Sequence, residues 1–287
     1  MRRLRNITLV AIAASMLSAV AHADGLTLGL IPAENNEEMV AEFEPVRVYL
    51  EKQLGERVRV FTATDYSGII EAMRKKRIDV AWYGPMSYSL AEREANAEAF
   101  AVGVRADGRV KYRSIFVVPS ASDAQTWEDL RGRSVAFVDP ASTSGGLMPT
   151  YMVKSLTGLM PSEFFGRVIW AGTHDAAQLA VKNGTVDAAV GADMIYERMI
   201  DKQLIDSKSN RILLQSDELP GAPLAFRADL DQDMKDWLIK TFLEAHEHTD
   251  VSGLIGTTYF QRAHPEDYAI IRAMVTELGL NDEQLLE

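Results

Sequence analysis

Three consecutive hydroxyl side chains, Ser142, Thr143 and Ser144, stand ahead of Gly145 and Gly146 in the run Asp139-Pro-Ala-Ser-Thr-Ser-Gly-Gly146. Hydroxyls donate hydrogen bonds without bulk or charge, and small residues let a ligand approach the backbone. Ser134-Val-Ala-Phe-Val138 upstream reads as a buried strand, and Leu147-Met-Pro-Thr-Tyr-Met-Val153 downstream as the opening of a helix. A loop between strand and helix presents the unpaired N–H groups and partial positive charge of a helix N-terminus, which suit an oxyanion. An ordinary N-cap also uses Ser or Thr. One hydroxyl meets that need, and three with two glycines favour a binding loop.

The elements that must position this loop alternate. Strands at 26–31, 58–62 and 78–82 are interleaved with helices at 37–54, 66–74 and 87–97. Residues 112–119 read as a long strand that leaves this first lobe. A second series follows, with strands at 135–138, 168–170 and 186–190 and helices from Gly145 and over 175–182. Strands at 212–214 and 224–226 make the return crossing, and helices at 232–248 and 266–278 complete the first lobe. Such βαβ repetition predicts an α/β fold with mostly parallel sheets. The expected division is a first lobe of 24–111 and 215–287 and a second of 112–214. Between them lies a cleft at the carboxyl ends of the strands, where open sheets bind ligands.

The first 23 residues set the compartment. Arg2, Arg3 and Arg5 precede an apolar run from Ile7 to Val20, and Ala21-His22-Ala23 is a small-x-small cleavage site before Asp24. The run is too short for a comfortable membrane span, so residues 1–23 read as a cleaved signal peptide and the mature chain as an exported, periplasmic protein. The sequence has no cysteine, which excludes disulfides and thiolate chemistry. Its formal charge is −11; removing the three signal arginines leaves 27 basic against 41 acidic residues, or −14. That balance disfavours nucleic acid and anionic membranes. Any anion site here must therefore work through local donors. No cofactor is called for and no metal ligands cluster, since His246 and His248 fall on a charged helix face.

Four segments carry a resemblance. Asp65-Tyr-Ser-Gly-Ile-Ile70, Ile78-Asp-Val-Ala-Trp-Tyr-Gly84, Asp139-Pro-Ala-Ser-Thr-Ser-Gly145, and Gly172-Thr-His174 followed by Val186-Asp-Ala-Ala189 occur in order and at familiar spacing. Together they resemble the PhnD-like phosphonate-binding proteins of ABC transporters, a branch of the type II periplasmic binding proteins. The resemblance covers nearly all of the mature chain. It implies a two-lobed, monomeric clamp that closes on a phosphonate and delivers it to an inner-membrane permease. It further implies that Ser142, Thr143 and Ser144 hold the phosphonate oxygens from one lobe with help from His174, while Tyr66 and Tyr83 reach across from the other.

Each role has a rationale in the residues. Tyr66 opens a helix, so its hydroxyl can donate while its ring excludes water. Tyr83 precedes the Gly84-Pro85 turn, which would hold it at a cleft edge. Alone, either tyrosine fits a packing role. His174 begins a helix; beside a dianion it can donate one or two N–H bonds, and the dianion favours its protonated form. Trp82 points to the opposite face of the strand from Tyr83 and is assigned to the core.

The chain departs from the resemblance where carboxylates would pair with an aminoalkyl tail. Met194 and Ala222 occupy those positions, and neither pairs a cation. Asp193, one residue away, could supply one carboxylate; Glu34 and Glu197 are weaker candidates. An unpaired buried ammonium is costly, so a small or neutral tail, as in phosphite or methylphosphonate, is expected, with aminoethylphosphonate open through Asp193. Two other classes compete. An exported hydrolase could use Ser142 or Ser144 with His174 and Asp175, although no G-x-S-x-G elbow is present. A sensing module for a membrane receptor would share the binding fold.

Overall fold

The computed structural model describes residues 25–280, so the signal-peptide assignment lies outside the described residues. The chain lays down β1 (Leu26–Leu30), α1 (Asn36–Leu54), β2 (Val58–Thr62), α2 (Tyr66–Arg74), β3 (Val80–Trp82), α3 (Pro85–Ala95) and β4 (Ala97–Arg105). It then builds β5 (Tyr112–Pro119), β6 (Ser134–Phe137), α4 (Met148–Thr157), α5 (Pro161–Phe164) and β7 (Arg167–Trp170). This second series continues with α6 (His174–Lys182), β8 (Ala188–Ala192), α7 (Asp193–Asp201) and β9 (Asn210–Leu219). The chain returns through β10 (Pro223–Arg227), α8 (Gln232–Glu244), β11 (Thr257–Arg262) and α9 (Ala269–Leu278).

Two sheets result, in the orders β11-β4-β10-β3-β1-β2 and β7-β6-β8-β5-β9. Each contains the same parallel trio. In the first, β1 lies between β2 and β3; in the second, β6 lies between β7 and β8. In both, the first strand of the series is the middle one, so the connections leave it in opposite directions. That divergence opens a crevice beyond the strand ends.

The expectation of mostly parallel sheets needs correction. β10 inserts antiparallel between β3 and β4, β11 pairs antiparallel with β4, and β5 is antiparallel to both β8 and β9. β5 and β10, the first strands after each change of sheet, and β11 run against the trios, whereas β4 and β9 run with them. β4 and β11 were not anticipated. The expected helix at 87–97 overran because Asn96, at φ 50°, ends α3 in a left-handed turn and starts β4 at once.

The chain changes sheets twice, over 106–111 and over 220–222. The two passages touch: a Cβ on Gly221 would lie 2.6 Å from the Val110 carbonyl oxygen, so only glycine fits there. Each sheet has its own aromatic packing. Phe100 stacks on Phe226 at 4.9 Å behind the first, and Phe116 meets Trp127 edge-on at 4.9 Å behind the second. The Phe116–Trp127 cluster is a separate core behind the second sheet, whereas the main apolar core runs on from the first sheet to Ile115, Ala136 and Ala189 on the facing side of the second.

Ionic contacts join the lobes at their edges. Arg198 on α7 donates to Glu42 on α1 at 2.8 Å and lies 3.3 Å from the buried Glu34. Lys202 reaches Glu42 at 2.9 Å.

Candidate ligand-binding site

A cavity of about 20 Å³ lies between the lobes, lined by Tyr66, Tyr112, Ser142, Thr143, Ser144 and His174 among others. Its position follows from the two trios. Ile31 and Ala33 follow β1, Trp82 and Gly84 end β3, Ser142 to Ser144 follow β6, and Ala192, Met194 and Ile195 follow β8. Both switch points thus face one space. Five helical starts supply its wall: Tyr66 of α2, Gly84 before α3, the 142–144 turn before α4, His174 of α6 and Ala192 before α7. Each start brings the partial positive charge of a helix N-terminus to the cavity. No charged side chain lines the cavity.

The hydroxyl loop turns as a single π-helical winding over Thr143–Leu147, a form frequent at functional sites. Its glycines serve the winding. A Cβ on Gly145 would come within 2.4 Å of the Val138 side chain, and one on Gly146 within 2.3 Å of the Asp139 carbonyl. They let the loop fold back on its own strand and do not open the backbone to the cavity, contrary to the expectation from sequence. Ser142 Oγ accepts from the Gly145 N–H at 3.1 Å. Thr143 Oγ1 accepts from the Met86 N–H at 2.8 Å, a bond that crosses from the second lobe to the start of α3 in the first.

The phenols around the loop are donors. Burial pushes the Tyr112 hydroxyl up to about 12, eased by hydrogen bonds with Thr143 and Ser144. Burial, then the neighbouring Asp139 carboxylate, pushes Tyr66 well above the ordinary phenol range, eased by a bond with Ser142. Both keep their protons at neutral pH. His174 is buried, which pushes it down to about 3. Its Nδ1 accepts from the Ala192 N–H at 3.2 Å, so the neutral ring carries its hydrogen on Nε2. A ring whose Nδ1 accepts from backbone offers one N–H, the lower of the one or two expected.

Behind the loop, the Asp139 carboxylate accepts from the Ala141 N–H at 2.8 Å and, across the lobes, from the Tyr66 N–H at 3.3 Å. Burial raises it to about 6.

The remaining expected residues lie elsewhere. The Tyr83 hydroxyl turns into its own lobe, 3.5 Å from the Ile69 carbonyl, while Trp82 lines the cavity. The alternation between these neighbours holds, but its phase is reversed. Asp193 is also outside the lining; its Oδ1 accepts from the N–H groups of Arg113 at 3.0 Å and Met194 at 2.7 Å. Glu34 faces Arg198, and the exposed Glu197 lies 3.6 Å from Arg109. Tyr112 was missed from sequence, although it opens the strand that enters the second lobe beside the loop. Asp175 accepts from the Thr173 hydroxyl; with Nδ1 of His174 bonded to Ala192, the histidine lacks the orienting carboxylate that a nucleophile's base requires.

A wider cavity of about 440 Å³, lined by Leu147, Met160 and Trp170 among others, has no charged side chain and none of these converging donors except near Gly146. The small interlobe cavity is the site the chemistry favours. Neutral hydroxyls, one imidazole N–H and helix starts can hold a small oxyanion without a countercharge.

Comparison with known proteins places the chain in a family. The sequence model of a family described as "ABC transporter, phosphonate, periplasmic substrate-binding protein" matches residues 28–268. The phosphonates-binding periplasmic protein of Escherichia coli is 33% identical over 237 residues, covering 80% of this chain and 70% of that protein. The phosphate-import protein PhnD of Mycolicibacterium smegmatis is 33% identical over 229 residues, 76% and 71% of the respective chains. Among solved structures, a binding-protein component of an ABC phosphonate transporter from Pseudomonas aeruginosa superposes with a TM-score of 0.82 at 28% identity, covering 90% of this chain and 91% of that one. Among the described residues no helix is long and apolar enough to cross a membrane. The chain belongs to the periplasmic substrate-binding proteins of ABC phosphonate transporters.

Proposed function

We propose that this protein captures a phosphonate, or an oxyanion of similar shape such as phosphite, between its lobes and hands it to an ABC permease. The observation that carries this reading is the convergence of Ser142, Thr143, Ser144, Tyr66, Tyr112 and His174 with five helix starts on one cavity that no charged side chain lines. Two relatives are named for phosphonates and for phosphate; the chemistry they share is a tetrahedral oxyanion. The cavity, at about 20 Å³, is little more than the space that one water-sized group requires, which favours a compact head.

The expected lobes are 24–111 with 215–287, and 112–214; because β9 stays in the second sheet as far as Leu219, the second lobe is extended to that residue. Residues 1–23 are removed on export, and N-terminal sequencing of exported protein should begin at or near Asp24; a retained Met1 would count against it. The protein transports its ligand unchanged, since His174 lacks the carboxylate partner of a catalytic base.

The test is calorimetry of the mature protein with phosphite, phosphate, methylphosphonate and aminoethylphosphonate, repeated on Thr143→Val. That change keeps the shape and removes a hydroxyl. Loss of a hydrogen bond to a charged ligand costs about 1.5–3 kcal/mol, or roughly 10- to 150-fold in affinity. Unchanged affinity in a folded variant would remove the loop from the site.

A further inference from the structure

A second cavity, of about 30 Å³, shares Trp82, Met194, Ala222 and Ile255 with the oxyanion cavity. The shared wall makes it the neighbour of the oxyanion cavity. One charged side chain lines it, and that side chain is a cation, Arg105 at the end of β4. No carboxylate lines either cavity.

The Arg105 guanidinium is poorly satisfied by the protein. Nη1 donates to the Met194 sulfur at 3.1 Å, across the lobes, and Nη2 donates to the Lys111 carbonyl at 2.9 Å. Nε is buried with no hydrogen-bond partner. A thioether is a weak acceptor and a guanidinium carries five donors. Among the described residues no carboxylate lies within ion-pair distance of Arg105, in a chain with 41 acidic residues. Asp107, the acidic neighbour on the same turn, is exposed and bonded to Arg109 through both its backbone and its side chain. Arg105 acts on Asp107 only from beyond contact, and an arginine with no carboxylate in contact at the wall of a ligand cavity can receive one, because its planar fork matches a carboxylate.

We infer that the second cavity is a subsite for an acidic substituent and that the ligand class is a short phosphonocarboxylate, with its phosphonate on the hydroxyl loop and its carboxylate on Arg105. The inference rests on the oxyanion reading of the first cavity. The space is small, at about 30 Å³, which keeps the tail to a carboxylate on a short stem. A cationic tail would instead meet a like charge, so aminoethylphosphonate should bind weakly.

The test is calorimetry of the mature protein with phosphonoacetate, methylphosphonate and aminoethylphosphonate, in wild type, Arg105→Met and Met194→Glu. Phosphonoacetate is expected to bind at least about 10-fold more tightly than methylphosphonate, the effect of a charge-assisted hydrogen bond. Arg105→Met should collapse that ratio. Met194→Glu, which supplies the guanidinium with a carboxylate of the protein's own, should collapse it without removing Arg105. A wild-type ratio near one overturns the inference while leaving the oxyanion site standing. So does a ratio that survives in both variants, or an equal loss for both ligands in Arg105→Met, which marks a structural role. If no phosphonate binds wild type at all, the oxyanion reading fails and this inference falls with it.

Discussion

Tyr112 makes the point that a ligand-facing residue need not belong to a motif. It has no glycine-rich neighbourhood and no hydroxyl run beside it. It reaches the cavity because β5 enters the second lobe alongside the loop, which no spacing in the sequence encodes. Its hydroxyl bonds with Thr143 and Ser144, so Tyr112→Phe should loosen the loop as well as remove a donor. The expected loss is about 0.5–1.5 kcal/mol, or roughly 2- to 10-fold in phosphonate affinity. Calorimetry checks it, and an unaltered Kd would assign Tyr112 to packing. Trp82 and Tyr83 teach a related lesson. Strand periodicity places neighbours on opposite faces but does not say which face is the cleft. That is set by the sheet's two coverings, which are tertiary facts.

At the scale of elements, the repeated βαβ pattern was legible because β1, β3 and β8 are short apolar runs buried throughout, and α2, α6 and α7 carry marked apolar faces. The hydroxyl loop was legible because its composition exceeds what a cap needs. What escaped was β4, whose start is hidden against α3 by a left-handed Asn96, and the antiparallel insertion of β10. Pairing direction depends on the path of the chain between lobes, and local sequence carries no record of it. The α1–α7 contact was equally invisible, since Glu34, Glu42, Arg198 and Lys202 lie far apart in the chain. Arg198 is 17% exposed and Glu34 7%. Burial raises the Glu34 carboxyl, and the Arg198 charge partly offsets that. Breaking a fully buried pair costs about 3–5 kcal/mol; with partial solvent access about 1–2 kcal/mol is expected. Because the pair spans the lobes, Arg198→Met should favour the open form and raise the ligand off-rate about 5- to 30-fold. Adding Glu34→Gln should recover most of the loss. Stopped-flow dissociation measures both, and an unchanged off-rate would limit the contact to a surface ornament of the fold.

For the whole molecule, two buried groups beside the site set opposing responses to pH. His174, ordinarily near 6.5, is pushed down to about 3, so the unfolded chain binds a proton first. Its contribution is intact above pH 6.5 and falls away toward pH 3, by about 2 kcal/mol at pH 5. Asp139 is raised from 3.8 to about 6. Its ionised form burdens the folded state at neutral pH, and stability returns as pH falls from 6 toward 4, by about 1.5 kcal/mol at pH 5. The pair should nearly cancel in wild type. His174→Gln should therefore gain stability between pH 7 and pH 5 relative to wild type, and Asp139→Asn should lose it. Urea unfolding at the two pH values reads the difference; parallel profiles for all three proteins would contradict the burial of both groups.

The touching passages at Val110 and Gly221 have a mechanical meaning. Ala222, the residue after the Gly221 contact, is a wall of both cavities, so the fulcrum of the two jaws borders the space for the ligand's tail. An obstruction placed beside a fulcrum opens the far edges by more than its own width. Tail length is thereby expected to set the jaw angle. Small-angle scattering at saturating ligand should show greatest compaction with phosphite and less with each carbon added along an alkylphosphonate series. Equal compaction across the series would mean that the jaws shut to one fixed stop.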